Sequence, residues 1–380
     1  MYAKKDQSVA SFVESCVDID EKIFRLTPLS DNSLFALNFY IFNLNLLGNR
    51  KLIEKDKYLM DGLLRNNIRK LKKKISSENR TLIYDKSFLQ LLSFTLSSLK
   101  ILNTIEKDPM PELTENIFKG VSTKSYLNNI GAFDGKPGSG NFAMFFAINL
   151  LHNKIYLNRK VENKIDEWVD LHLKAMNING FFGCKFSNPF LQFQNGYHQY
   201  EIFDFLNIDG IFWQKAADFV SKLSDKDGHF APYPGGGGCY DYDAIFFLTS
   251  KFVNIQKFRK QLSITYKTIL NEQNIDGGWC ESKFIRPRSF KNHLKSINHI
   301  FRGDLISFLF KLKTNISIQR NKFNKLKTHW SIYSRDWNES DLWDTWFRKL
   351  LLEKINLVIN IDESNNLEKK KFIDYPGIGY

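Results

Sequence analysis

A repeat of about four dozen residues constrains the fold of this 380-residue chain more than any other feature. Four short turns place a glycine just before an aromatic side chain: Gly131-Ala132-Phe133, Gly180-Phe181-Phe182, Gly228-His229-Phe230 and Gly277-Gly278-Trp279. The first glycines of successive turns are 49, 48 and 49 residues apart. A near-constant spacing of this size indicates one supersecondary unit that is used several times.

The stretches between the turns have helical patterns of two types. One type is mostly apolar, as at 142–151 and 244–252, and the other combines an apolar stripe with lysines, as at 161–176 and 258–273. A helix that is apolar on all sides is buried, whereas a helix with a polar stripe faces water. Alternation of the two types predicts helical hairpins arranged as an inner and an outer ring.

Helical patterns on both flanks extend this arrangement, and strand patterns are scarce. The predicted fold class is therefore all-α, an (α/α)6 toroid of helical hairpins that forms a single domain over 31–360, with an N-terminal arm at 1–30 and a C-terminal tail at 361–380. The predicted helices cover 34–47, 57–74, 88–105, 112–119, 142–151, 161–176, 200–206, 212–223, 244–252, 258–273, 299–313 and 340–358.

Two segments of the repeat resemble a known family. The segment 225–243, D-K-D-G-H-F-A-P-Y-P-G-G-G-G-C-Y-D-Y-D, is similar to the helix-turn-helix repeat of the terpenoid cyclase and protein prenyltransferase α/α toroid. The segment 273–279, Q-N-I-D-G-G-W, is close to the Q-x-x-D-G-G-W repeat of squalene and hopene cyclases. The resemblance covers about 130–300 and implies an isoprenoid or another hydrophobic small molecule as the substrate, while the reaction depends on the site itself.

Each glycine-aromatic turn joins an outer helix to the next inner helix, so the N-terminal ends of the inner helices should surround one mouth of the ring. A concavity lined by polar and aromatic groups from distant segments is the usual form of a small-molecule site. We expect Asn141, Asn298, Ser340 and Asp341 near this mouth. The candidate catalytic residues are Asp241, Asp243, His198 and Asp344, and the candidate substrate-binding residues are Asn195, Tyr197, Tyr200, Tyr240, Tyr242, His299, Trp343 and Trp346.

The motif Asp241-Tyr242-Asp243 has two interpretations. The resemblance to class II cyclases implies a general acid that protonates an alkene or an epoxide, although those enzymes use D-x-D-D and Ala244 takes the fourth position here. The alternative is capping, because acids at a helix start accept unpaired backbone N–H groups and match the helix dipole. Capping lowers the pKa of a carboxyl group, whereas a general acid needs a raised pKa.

Other residues near this motif also have two interpretations. One candidate is a zinc site formed by Cys239, Asp241 and His299 (or His293). The cysteine and the aspartate follow the reverse order of the prenyltransferase pattern. The alternative is that Cys239 is a buried structural cysteine. The glycine run at 235–238 suits either a phosphate or carboxylate ligand or a flexible loop. His198 is either a base or substrate donor or a structural histidine.

The tryptophans and one acid-arginine spacing complete the set of candidates. Trp330, Trp337, Trp343 and Trp346 suit either contact with a carbocation or sugar or simple core packing. Asp344 and Arg348 have the i,i+4 spacing of a local ion pair.

Composition narrows the class of partner. The net charge is +13, from 54 Lys and Arg against 41 Asp and Glu, and it is explained by solvated lysine clusters such as 70–74 without a nucleic-acid motif. The longest mostly apolar run, 34–47, is too short to span a bilayer, and the first residues show no secretory signal. We therefore expect a cytoplasmic protein with a small-molecule substrate, no nucleic acid, no transmembrane segment and no required cofactor; peripheral contact with a membrane stays open.

Three functions remain in competition at this point. The first is an enzyme that acts on an isoprenoid, with acid initiation by Asp241 or Asp243. The second is a carbohydrate-active enzyme, an epimerase or hydrolase, that pairs one of these acids with Asp341 or Asp344. The third is a scaffold without catalysis, which is favoured by the incomplete D-x-D-D motif.

Overall fold

The computed structural model describes residues 2–183, 188–286, 290–301, 305–320, 325–359, 372 and 375–377. The described chain is mostly helical, and this confirms the predicted all-α class. Its strands form only two antiparallel pairs of two residues each, β1 (Val17–Asp18) with β2 (Ile23–Phe24) and β3 (Lys325–Leu326) with β4 (Arg335–Asp336).

The helices follow the chain with short connections, and two 3-10 turns at Leu82–Tyr84 and Ile255–Phe258 accompany them. The α-helices are α1 (Tyr2–Ser15), α2 (Ala36–Leu46), α3 (Arg50–Ser77), α4 (Lys86–Ile101), α5 (Pro111–Thr114), α6 (Thr123–Ile130), α7 (Ser139–Leu157), α8 (Glu162–Lys174), α9 (Pro189–Phe205), α10 (Phe212–Ser221), α11 (Gly238–Leu248), α12 (Arg259–Asn271), α13 (Phe290–Ile300), α14 (Leu305–Arg320) and α15 (Leu342–Ile359).

Six largely buried helices contact one another in cyclic order. Helix α2 contacts α4, and the contacts continue through α7, α9, α11 and α15 back to α2. Two of the neighbouring pairs, α2 with α15 and α9 with α11, run in the same direction, because residue numbers rise together along both partners. The contacting side chains are Phe39 with Trp343, Phe42 with Trp346, Phe193 with Tyr240, and Tyr200 with Phe247. The six helices carry apolar residues on every side, which explains why these helices are buried.

Amphipathic helices pack against the outside of these six. Helix α12 is an example, since Leu262, Tyr266 and Ile269 are buried while Lys260 and Lys267 are exposed. Helix α3 lies against α2 and α4, α8 against α7, α10 against α11, and α12 against α15. The two types of helix therefore alternate along the chain as the hydrophobic patterns predict.

The repeated turn is present at three of the four glycines. The side-chain oxygen of Asn177 accepts from the backbone N–H groups of Asn179 and Phe181, and Asp225 does the same for Asp227 and His229. The third turn has the corresponding backbone bond, from Asn274 N–H to the carbonyl of Gly278 at 2.9 Å. The glycines Gly180, Gly228 and Gly277 have φ values of +82°, +87° and +94°, which only glycine adopts easily. Gly131 instead ends helix α6 as its left-handed cap.

Several predicted helix bounds were wrong. Helix α9 begins at Pro189, eleven positions before the predicted start, because Asn188 caps it and Gly196 in its interior hides the pattern. Helices α1 and α6 were not predicted, and the predicted helix at 299–313 spans the end of α13 and much of α14. The N-terminal arm packs through Val9 and Phe12, while most of the predicted tail lies outside the described residues.

The segment between the last glycine turn and α15 is an insertion into the repeat. It contains α13, α14, β3 and β4 and lies against the start of the buried helices. The amide of Asn315 in α14 donates to the carbonyl of Pro232, and Ser282 donates to Pro234. Within the described part of the chain, we find no helix with the length and apolar character needed to cross a bilayer.

Candidate functional site

The starts of α11 and α15 lie side by side, and the start of α7 lies beside the middle of α9. The N–H of Gly140 in α7 donates to the side-chain oxygen of Asn195 in α9, and the amide of Asn141 donates to His198 Nε2 at 2.7 Å. The first residue of α11, Gly238, faces Asp344 in the first turn of α15. The residues of this mouth therefore come from segments that are far apart in the sequence.

Asp241, in the first turn of α11, is completely buried and fully paired. Its carboxylate accepts from His229 Nδ1 at 2.8 Å and from the Phe230 N–H at 2.7 Å, and it forms an ion pair with Arg348. Burial alone would raise the pKa of Asp241, but Arg348 and then His229 outweigh burial and leave this pKa lowered. The pairing favours a structural, ionised Asp241 over a proton donor.

Arg348 and the glycine run surround the carboxylate of Asp241. The Arg348 guanidinium donates to the carbonyls of Gly235 and Gly236 at 3.2 and 3.3 Å. Gly236 has a φ of +59°, and a Cβ there would collide with Asp241 and lie 2.7 Å from His229 Nδ1. The run thus has a third role that neither sequence hypothesis contained, which is to bring backbone close to a buried ion pair. The predicted pair of Arg348 with Asp344 is wrong, since Arg348 pairs with Asp241.

Three carboxylates share a second arginine, Arg335. The guanidinium lies 2.5 Å from Asp341, 2.8 Å from Asp344 and 3.5 Å from Glu281. Asp341 also caps α15, because its Oδ1 accepts from the Asp344 N–H at 2.7 Å. The two aspartates at the start of α15 therefore have the closer arginine contacts and the favourable helix dipole.

Burial raises the pKa of two acids in this cluster, to about 8 for Asp341 and to a lower value for Glu281. Three acids face one guanidinium, and Glu281 is the most distant from it and lies outside a helix start. Burial, followed by the charge of Asp344, raises the pKa of Glu281 to about 7, although Arg335 acts in the opposite direction. The Tyr233 hydroxyl donates to Glu281 Oε1.

The candidate site residues predicted from the sequence did not include Glu281, Tyr233 or Arg335. Their positions after the repeated turns could have indicated two of them. Cys280-Glu281 directly follows the last glycine turn, and Tyr233 follows the preceding turn. Gly237 fits beside both groups, since a Cβ there would lie 2.5 Å from the Tyr233 hydroxyl.

Asp243 is a second buried acid with a raised pKa. Burial is the main cause, and the charges of Glu201 and Asp241 act in the same direction. Its Oδ1 has no hydrogen-bond partner among the described residues. The Tyr197 hydroxyl donates to Glu201 at 2.7 Å, and the rings of Tyr197 and Tyr242 are in contact. Two residues after the ionised Asp241, α11 therefore carries an acid that favours the protonated state.

We infer a recess beside these acids from the surroundings of three side chains. His198, Cys239 and Tyr240 are each partly accessible to solvent, and yet burial is the main cause of the shift in each pKa. Side chains that are both accessible and enclosed line a concave surface. The pKa of His198 is lowered by burial and by the charge of Lys86, so a neutral imidazole accepts from Asn141.

Lys86, at the start of α4, faces the same recess. Burial lowers the pKa of its amine, and the nearby Cys239 partly compensates. Glu281 lies at the edge of the recess, because it affects the pKa of both Cys239 and Tyr240. The recess thus combines a histidine, a lysine, a cysteine, a tyrosine and a carboxyl group from separate helices and loops.

The remaining predicted residues have mostly structural contacts. The Tyr200 hydroxyl donates to the carbonyl of Gly180 at 2.5 Å and so fixes a repeat turn, and Asn195 donates to Lys136 at 2.9 Å. Both residues, like Tyr197 and His198, lie well inside α9 and not at its start. Tyr242 is buried against Phe347.

Three of the four predicted tryptophans belong to an aromatic cluster at the start of α2 and α15, while Trp337 packs against Tyr233 in a separate cluster. Trp343 contacts Trp330 with ring centroids 3.9 Å apart and Phe39 at 4.9 Å, and Trp346 packs on Phe42. Trp346 is fully buried, while Trp343 retains slight exposure. These contacts favour core packing for Trp346.

The candidate zinc residues are not assembled into a metal site. Asp241 is occupied by Arg348 and His229, and His299 lies near the end of α13, 3.5 Å from Asp225. The side chains of His293 and Asn298 lie outside the described residues. Across the part of the chain that the structure describes, no three His, Cys, Asp or Glu side chains are grouped so that they could hold a metal ion.

The site therefore consists of a fully paired ionic cluster at Asp241 and an adjacent recess with raised-pKa acids. Comparison of the chain with protein-family models, with curated proteins and with solved structures finds no match.

Proposed function

We propose that the six buried helices and their outer partners form an (α/α)6 toroid of the terpenoid cyclase and prenyltransferase type. Support comes from the cyclic order of the contacts among α2, α4, α7, α9, α11 and α15, and from the shared direction of α2 with α15 and of α9 with α11. The identical turns at Gly180 and Gly228 add a structural repeat to the sequence repeat.

On this fold, the chain is an acid-initiated enzyme with its site in the mouth recess. The observation that carries the proposal is Glu281, a partly accessible carboxyl group with a pKa of about 7 at the edge of the recess. General acids work best when their pKa lies near the working pH, and such catalysis contributes about 10²–10⁴-fold. Glu281 is the proton donor in this proposal, Tyr233 orients it, and Asp243 is a second acid deeper in the ring.

The proposed substrate is an isoprenoid or another hydrophobic small molecule. Tyr240 lines the recess, and Trp343 and Trp330 stand close by at the same end of the buried helices. Aromatic faces attract a positive charge, so these rings suit the cationic intermediate that protonation of an alkene produces.

A carbohydrate is the second candidate substrate. Asn141, His198 and Lys86 bring hydrogen-bonding groups to the recess, which suits a hydroxylated molecule. Glu281 and Asp344 lie at the same arginine, and paired acid-base chemistry on a sugar uses two carboxyl groups.

Turnover assays with the purified chain test the proposal and separate the substrates. One panel contains prenyl diphosphates, squalene and its epoxide with product detection by mass spectrometry, and the other contains oligosaccharides with detection of released or epimerised sugars. We expect conversion in the first panel, with a rate that falls as the pH rises through about 7 because the donor must be protonated.

The variant Glu281→Gln should lower the rate at least about 100-fold while circular dichroism shows that the chain remains folded. Glu162→Gln, at the exposed start of α8, is the matched control and should leave the rate unchanged. Conversion only in the carbohydrate panel would favour the second candidate. No conversion and no binding in either panel would favour a non-catalytic scaffold.

A further inference from the structure

The inserted hairpin of α13 and α14 has an exposed apolar surface that the proposed reaction does not use. We name it the outer stripe. Its residues on α13 recur at helical spacing and point away from the protein, and its residues on α14 do the same. The members are Phe290, Leu294, Ile297 and Phe301 at the first helix, and Leu305, Leu309 and Ile316 on the second.

The exposure of these side chains is large. Phe290 is 80% exposed, Phe301 72% and Leu305 73%, and Leu309 is 54% exposed. Single exposed apolar residues are ordinary on protein surfaces, whereas a contiguous series over two helices marks an interaction surface.

Helix α14 buries polar side chains and exposes apolar ones, which is the reverse of the usual arrangement. The side chains that face the protein are polar, since Ser307 and Lys311 are each 1% exposed and Asn315 is 4% exposed. Asn315 donates to the carbonyl of Pro232, and the Lys311 ammonium lies 6.0 Å from the ring centre of Phe190. A helix in water normally buries its apolar face, so this orientation indicates that the outward face meets an apolar medium.

The charge of the hairpin identifies the kind of medium. The segment 286–327 carries one acid, Asp304, against eleven basic residues. Two of the basic residues, Arg286 and Lys311, are buried. The other nine are Arg288, Lys291, Lys295, Arg302, Lys313, Arg320, Lys322, Lys325 and Lys327. An apolar helix face combined with many lysines and arginines is the pattern of helices that lie in the surface of an anionic bilayer.

We propose that the α13–α14 hairpin docks on an anionic lipid bilayer, with the outer stripe at the boundary between headgroups and acyl chains. The hairpin lies beside the mouth, because His299 approaches Asp225 and α14 packs on α9. The inference rests on the hairpin alone and holds whether or not the chain is an enzyme.

Flotation of the full chain with lipid vesicles tests this proposal. The vesicles contain phosphatidylcholine alone or with about one third phosphatidylglycerol, at low and high salt. We expect the wild-type chain to float with the anionic vesicles, with at least tenfold weaker binding to the neutral ones and weaker binding at high salt. The double variant Leu305→Ser/Leu309→Ser should bind at least tenfold more weakly.

The matched control is Ile211→Ser, because Ile211 is 76% exposed at the start of α10, at the opposite end of the buried helices. It should bind anionic vesicles like the wild type, and circular dichroism should show that all variants are folded. The proposal is overturned if the wild-type chain stays in solution with anionic vesicles, or if the double variant floats equally well. A wild-type dimer that the double variant dissociates, without vesicle binding, would assign the surface to a second copy instead.

Discussion

The first two turns of α11 hold two acids in opposite electrostatic environments. Asp241 accepts from His229 and Phe230 and pairs with Arg348, and its pKa is lowered. Asp243 is equally buried, but burial and then the charge of Glu201 raise its pKa, and burial also raises the pKa of Glu281. Burial by itself does not decide the charge of a carboxyl group; the number and sign of its partners do.

The difference separates two tasks within one site. The ion pair of Asp241 with Arg348 joins α11 to α15 and holds the glycine run against them. The raised-pKa acids are the groups that can deliver a proton at neutral pH. Removal of the ion pair should lower the free energy of unfolding. Substitution of a raised-pKa acid should alter titration and activity.

Removal of Arg348 should have the largest effect on stability. Arg348→Met leaves the buried carboxylate of Asp241 without its ion-pair partner, and the free energy of unfolding should fall by about 3–5 kcal/mol. Denaturant unfolding measures it. Arg69→Met is the matched control, because Arg69 pairs with Glu112 at the surface, and it should cost less than about 1 kcal/mol. Equal losses in the two variants would contradict the account.

The pH dependence of stability should respond to Glu281→Gln. The folded-state pKa of Glu281, about 7, is above the ordinary glutamate value of 4.5, so the folded state binds a proton more tightly than the unfolded state. This contribution is complete below pH 4.5 and is lost as the pH rises through about 7.

The Glu281→Gln variant does not lose this stability as the pH rises. Its free energy of unfolding relative to the wild type should therefore increase by up to about 3 kcal/mol between pH 4.5 and pH 8. Chemical denaturation at a series of pH values provides the measurement, and a pH-independent difference would show that Glu281 is ionised throughout.

Gly236→Ala should cost about 1–3 kcal/mol, because the residue has a φ of +59° and its Cβ would enter the space of Asp241. The comparison variant is Gly62→Ala in α3, where a Cβ meets nothing within 4 Å. That substitution should be neutral or slightly stabilising. Thermal unfolding of both variants would show whether the glycine run is required by the ion pair, and identical melting temperatures would argue that it is not.

Asp243→Asn should have the smallest effect. A protonated carboxyl group and an amide have similar shape and no charge, so we expect a loss below about 1 kcal/mol at pH 7. Asp241→Asn removes a charge from a buried ion pair and should be far more destabilising. Similar losses at the two positions, measured by denaturant unfolding, would remove the distinction between them.

Local patterns predicted the helices and the turns, because these depend on residues close in sequence. The repeat at Gly180, Gly228 and Gly277 and the buried or exposed character of the helices follow from such patterns. The start of α9 was misplaced, since Gly196 interrupts its pattern.

The partners of the acids were not predictable in the same way. Arg348 is 107 residues from Asp241 in the sequence. Arg335 lies near the end of the insertion, and Glu281 lies near its beginning. Neither pairing has a local signature, so the sequence indicated the acidic motif at Asp241-Tyr242-Asp243 without distinguishing its two members. Glu281 lacked any motif and needed the folded chain to place it beside the recess.

The most direct test of the account is the titration of the carboxyl groups by NMR, with carbon-13 in the side-chain carboxyls of glutamate. We expect one glutamate signal with a midpoint near pH 7 that is absent in Glu281→Gln. A Glu281 signal that titrates with a midpoint near the ordinary value of 4.5 would contradict the claim that this group holds a proton at neutral pH.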